Sequence, residues 1–485
     1  MNSAPGHVGI RFGVALVLLL GLSAASAENA QSKCTAGAIS VTPGQSIQDA
    51  VDTAPPGATF CLKNGIHRMQ LTRPKSGQHF YGEREAVLNG SRLLTGFKSE
   101  GKYWAIGGQE PRIRRQGHCM ETSPTCGFPE TLFIDNTPLI RVLRKDELTI
   151  GRFFWDISVA KIYIAEDPNG RTVELAAAAF AFAGKASDVL ISGLRIEKFA
   201  SPAQRGAIDA QDGAHWIIQD CEVRWNSSAG LSVGNETVVR GCHIHHNGQI
   251  GITGAGNGIR IESNQIFANN VRGFSMGWEA GGVKISLADG TLLRANHVYD
   301  NRGPGLWCDG DCRNTVYEDN VVERNHNAGI YHEISFGAVI RNNDLRHNGE
   351  GSDGWFWGND IIVSASEGVD IHNNRLTVSA GRCAIMLIDQ ARSDNGRLYK
   401  TRNNRVHGNE ITFEGAPCAG GVSDVGPNNE NFLIISSGNN SFDHNVYRVP
   451  RIARAYRFVW GHDEGLDWDA LRRVGLEPNG QLVLY

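Results

Sequence analysis

Three short runs carry acid–base side chains at fixed offsets from a glycine: Gly282-Val-Lys-Ile-Ser286, Gly305-Leu-Trp-Cys-Asp309 and Gly329-Ile-Tyr-His-Glu333. Aligned on that glycine, the second residue on is Lys284, Trp307 or Tyr331, and the fourth is Ser286, Asp309 or Glu333. Residues two apart on an extended strand share a face. If the three runs are neighbouring strands, Asp309 and Glu333 stand side by side, about 4.8 Å apart by strand spacing. Trp307 and Tyr331 then form an aromatic shelf beside them, with Lys284 one strand away. Two adjacent carboxylates repel, which raises the pKa of one of them unless a cation intervenes. A carboxylic acid next to a carboxylate is what glycosidic-bond hydrolysis needs, and a gap near 5 Å suits a retaining mechanism. His332, with Ile285 and Cys308, is on the opposite face and is expected in the core. It reaches the acids as a proton carrier only if Cys308 and Cys312 bulge the Asp309 strand. Those two cysteines are expected as a local disulfide or as core residues.

The strands that must position these groups come from a repeat. The phrase N-x-[VIL]-x-x-N recurs from about residue 190, at Asn264, Asn296, Asn320 and Asn343, with looser copies at Asn374 and Asn409 and with Cys221 and Cys242 in the first position of two more. The first positions step by 21, 22, 32, 24, 23, 31 and 35 residues. Each unit holds about three short alternating runs, which argues for three strands per unit. That is too short for a propeller blade and lacks the helix of a leucine-rich repeat, so one coil of a parallel β-helix remains. The asparagines are expected at coil turns, in left-handed backbone, bonded to the asparagine of the next coil. Cys221 and Cys242 fit an inward stack or a disulfide between coils.

Steps of 32 and 31 mark extra loops near 271–281 and 349–359. They bring Trp278 and Glu279, then Asp353, Trp355, Phe356 and Trp357, to one side of the solenoid. Exposed aromatics in such walls stack on sugar faces; the alternative is a local hydrophobic plug. Glu279 and Asp311 are helpers of the acid pair or solvated loop charges.

Residues 1–27 read as a secretory signal, with Arg11, the apolar Val14–Leu20 and the small Ala25-Ser-Ala27. Residues 28–97 read as an N-terminal cap with the first coils, its helix within Ile39–Val51. Residues 98–185 form an inserted β module, stapled by Cys119 and Cys126. The coils run over 186–445, and 446–485 form a C-terminal cap or tail. Glycine is raised, 58 of 485 residues or about 12% against the usual ~7%. The net charge of -4 gives no basic excess for a nucleic-acid backbone. No membrane association is expected once the signal is cleaved. Ten cysteines fit an oxidising compartment, secreted or periplasmic, and the absence of C-x-x-C argues against a metal cluster.

The Asn-punctuated coils, the opening Thr42-Pro-Gly-Gln-Ser-Ile-Gln-Asp-Ala50, Gly303-Pro-Gly-Leu-Trp-Cys-Asp309 and Gly329-Ile-Tyr-His-Glu-Ile-Ser335 resemble the secreted right-handed β-helix proteins of the pectate-lyase-like superfamily over about 39–445. The resemblance implies an all-β right-handed parallel β-helix. It also implies a carbohydrate partner, since that superfamily holds hydrolases, lyases, epimerases and adhesins. The Asp-Pro-His-Asp of mannuronan epimerases and a clear Asp-Asp pair of polygalacturonases are absent. Three readings follow. The first is a glycoside hydrolase without cofactor, using Asp309 and Glu333. The second is a lyase or uronate epimerase in which carboxylates hold Ca²⁺ and Lys284 takes the proton. The third is a non-catalytic glycan-binding solenoid.

Overall fold

The structure, a computed structural model, describes Cys34 and residues 37–485 apart from positions 353, 395, 454 and 455. The secretory signal read at 1–27, and Asp353 of the second loop, lie outside the described residues. Alternating short strands wind into three long sheets of thirteen, thirteen and eleven strands. Within each long sheet, each strand pairs in parallel with its equivalent one coil away. The chain is therefore a parallel β-helix. The first sheet runs from Ile39–Val41 to Ser441–Asp443, the second from Gly65–Arg68 to Gln481–Leu484, and the third from Phe182–Ala183 to Arg457–Leu466.

A single helix, Ile47–Thr53, covers the N-terminal end. Its N-cap Ser46 accepts from the Asp49 amide at 3.1 Å, and it buries Ile47 and Val51 against the first coil. Two small sheets, of four strands within 91–176 and five within 98–164, interrupt the winding. The interruption leaves the coil intact, because Phe80 pairs directly with Ile191 and Leu88 with Ile196 across it. Cys119 and Cys126 are joined in a disulfide, as are Cys34 with Cys61 and Cys383 with Cys418.

Asparagines form two hydrogen-bonded ladders inside the turns. One runs Asn264, Asn296, Asn320, Asn343, Asn374, Asn409 and Asn445, each Nδ2 donating to the next Oδ1 at 2.8–3.0 Å, and ends on Glu477. The other runs from Asn226 through Asn247, Asn269, Asn301, Asn325 and Asn348 to Asp360. The left-handed residue is the one before each asparagine, such as His246 (φ 54°) or Asp300 (φ 54°), and not the asparagine itself. The preceding residue makes the bend, which frees the amide to point into the core. Cys221 and Cys242 extend the first ladder as stacked free thiols and form no disulfide; the Cys221 amide lies 3.5 Å from the Cys242 sulfur. Cys308 and Cys312 are likewise free and buried, so the local disulfide is excluded and the core placement stands.

Leu306, Ile330 and Ile361 stack inward in register, each fully buried. Ile330→Asp is expected to cost several kcal/mol by burying an unpaired carboxylate. A thermal melt followed by circular dichroism checks this; an unchanged transition would contradict the inward assignment.

Candidate functional site

The third sheet carries Gly281–Ser286, Leu306–Asp309 and Ile330–Glu333 as consecutive strands. Their register pairs Lys284 with Trp307, Trp307 with Tyr331 and Asp309 with Glu333. The two carboxylates thus project outward from adjacent coils at the same position. Lys284 Nζ lies 2.7 Å from Asp309 Oδ2. It also donates to the Trp278 carbonyl at 3.0 Å and sits 3.9 Å from the centre of the Trp307 ring. On the other side, Arg392 Nη1 lies 2.9 Å from Glu333 Oε1. Burial pushes the Glu333 carboxyl above its ordinary value, and the Asp309 charge adds to the rise, against the pull of Arg392. Glu333 is 8% exposed at its side chain and Asp309 22%, so the first is the desolvated member of the pair and the second faces the opening.

Trp307 and Tyr331 do not form an exposed shelf. They stack on each other at 5.5 Å and 9°, and are 3% and 8% exposed. The loop near 349–359 folds onto them, with Phe356 buried and Trp357 at 6.5 Å from the Tyr331 ring. Covering two aromatic rings removes apolar surface from water, and that burial outweighs leaving them free for a ligand. Trp355 stays in the open, 37% exposed. The Trp278 ring packs against Phe274 and His118 in the opposite wall, at 6.3 and 5.0 Å.

His332 faces the core, fully buried, its Nδ1 3.3 Å from the Tyr317 hydroxyl. Cys308 stays in register with His332, so no bulge turns it outward, and the proton-carrier role falls. Glu279 is buried and accepts from Thr253 Oγ1 (2.7 Å) and Gln204 Nε2 (2.6 Å). Asp311 lies 3.6 Å from Arg397.

Arg392 and Arg397 stand on a segment, 389–402, that carries no copy of the repeat. Its signal is the long 35-residue step from Asn374 to Asn409. Asp309, Glu333 and Asp311 are thus each matched by a side-chain cation, Lys284, Arg392 and Arg397 respectively.

A family model described as a right handed beta helix region matches residues 180–277 and 206–376. No curated protein sequence matches the chain. Among solved structures, XylC in complex with xylose is similar over 91% of this chain and 82% of its own, with a TM-score of 0.66 at 14% identity. A structure described as a glycoside hydrolase is similar over 73% of this chain and 95% of its own, with a TM-score of 0.53 at 11% identity. With its parallel three-sheet winding, the chain has the right-handed parallel β-helix fold.

Proposed function

We propose that the chain is a glycoside hydrolase acting on an oligo- or polysaccharide. The observation that carries this is the register of Asp309 and Glu333 on adjacent coils, one paired with Lys284 and the other desolvated. Glu333, whose protonated form burial and the Asp309 charge favour, gives its proton to the glycosidic oxygen as the C–O bond breaks. Asp309 attacks the anomeric carbon and forms a glycosyl ester. Glu333, now a carboxylate, takes a proton from water, whose oxygen displaces Asp309 and returns the site to its starting state. Adjacent coils lie about 4.8 Å apart, which favours retention of configuration. Lys284 fixes the Asp309 carboxylate, and its engagement by Asp309, the Trp278 carbonyl and the Trp307 ring leaves it poorly placed as a free base. The fold shared with XylC, solved with xylose, and with a glycoside hydrolase supports a carbohydrate substrate. Three disulfides among the described residues support an extracellular or periplasmic setting, reached through the signal at 1–27.

A panel of plant and microbial polysaccharides, read for reducing ends and ultraviolet absorbance with and without chelator, tests the proposal. Reducing ends without a chromophore, unaffected by chelator, are expected. An ultraviolet-absorbing product that the chelator abolishes would replace hydrolysis by Ca²⁺-dependent elimination.

Arg392→Leu gives a second check. The guanidinium holds the Glu333 carboxyl down, so its loss leaves Glu333 protonated to higher pH. The alkaline limb of the pH–rate profile is expected to move upward, with kcat at the optimum within about tenfold of the parent. A limb that stays in place or moves down would remove Glu333 as the acid.

A further inference from the structure

Resting on the hydrolase reading, we infer that the enzyme works from a chain end and does not cut within a polymer. A linear glycan cleaved internally must cross the acid pair and continue on both sides. Along the row that holds the acids, Ala255, Ser286 and Asp309 are partly exposed, but Glu333 is 6% exposed and the next two positions, Ser364 and Ile388, are fully buried. The cleft therefore runs over the earlier coils and stops at Glu333.

The neighbouring row gives no second path. Thr253, Lys284, Trp307, Tyr331, Ile362 and Met386 follow one another in register over five strand spacings, about 24 Å. None is more than 8% exposed. Phe356 roofs the later part and is itself covered by the Arg457 guanidinium, 4.9 Å from its ring centre. The earlier part lies under the loop near 271–281. The Cys119–Cys126 loop braces that loop through Met120 N to Gly273 O and Ser275 N to His118 O, both 2.9 Å. Both walls are thus tied down by covalent or buried contacts. The dead end at Glu333 takes the terminal sugar, and the remainder of the glycan leaves over Ser286.

Soluble xylan and a graded series of xylo-oligosaccharides, alongside the active members of the polysaccharide panel, serve as probes. Each oligosaccharide is used free, reduced at its reducing end, and methylated at its non-reducing end. One small product from the earliest time points is expected. Polymer viscosity should hardly fall as reducing ends appear, and one of the two end-blocked forms should lose cleavage. An early ladder of intermediate products with a steep viscosity drop, or equal cleavage of both blocked forms, would overturn end-directed action while leaving hydrolysis in place. No reducing ends from any probe would instead overturn the hydrolase reading beneath it.

Discussion

Glu333→Gln is expected to lower kcat on natural glycosides by about 10²–10⁴-fold, the usual contribution of a positioned general acid. The amide keeps an oxygen to accept from Arg392 but carries no transferable proton. The nearly buried side chain is replaced by one of the same shape, so the thermal transition should barely move. A substrate whose leaving group departs without protonation, such as a nitrophenyl glycoside, separates the two roles. On it Glu333→Gln should recover most of the first step, whereas Asp309→Asn should remain inactive because the attacking carboxylate is gone. The parent should also lose activity as pH rises through the raised Glu333 value, since only the protonated form can donate. The variant should lack that limb. Equal losses for both variants on both substrates, or turnover surviving both substitutions, would end the paired-carboxylate mechanism.

The parts of this molecule legible in its sequence are those that repeat. A ladder asparagine must reappear once per coil, because each amide bonds the one above and the one below; Asn301, for instance, accepts from Asn269 and donates to Asn325. That demand writes the coil period into the chain, and alternation within a coil then separates Asp309 from Cys308. Loop conformation follows no period. Trp307 looked outward and is outward, yet it is buried, because the fate of an outward ring depends on whether a distant loop folds over it. Arg392 is illegible for the same reason: an arginine in a non-repeating segment signals nothing until its contact with Glu333 on the third sheet is known. The cysteines show a third limit. Cys221 and Cys242 stand at asparagine positions, where the Cys242 sulfur accepts from the Cys221 amide and both thiols donate to backbone carbonyls, a use that spacing alone does not distinguish from a covalent link.

Asp360→Asn is expected to stabilise the protein at neutral and alkaline pH. Asp360 ends the second ladder, fully buried, where its Oδ1 accepts from Asn348 Nδ2 at 2.7 Å and from the Asn348 amide at 3.3 Å. Its Oδ2 has no hydrogen-bond partner among the described residues. Every earlier rung uses the equivalent Nδ2 to donate to a carbonyl of the previous coil, as Asn348 does to Val322 O at 2.9 Å. A carboxyl has a hydrogen to donate only while protonated, and burial lifts the Asp360 pKa to about 7. The folded value lies above the unfolded one, so the protonated group favours the folded state at low pH. That advantage is lost as pH climbs from about 4 through 7, at most about 4 kcal/mol for a shift of this size. Glu477, at the end of the other ladder, differs: its two oxygens accept from the Asn445 amide, Asn445 Nδ2 and the Tyr447 hydroxyl, so an amide there has less to correct. Denaturant titrations from pH 4.5 to pH 8.5 should show the parent weakening with rising pH. Asp360→Asn should hold level, matching the parent at the acid end and exceeding it at the alkaline end. Curves that stay parallel across the range would show that Asp360 keeps its charge in the ladder.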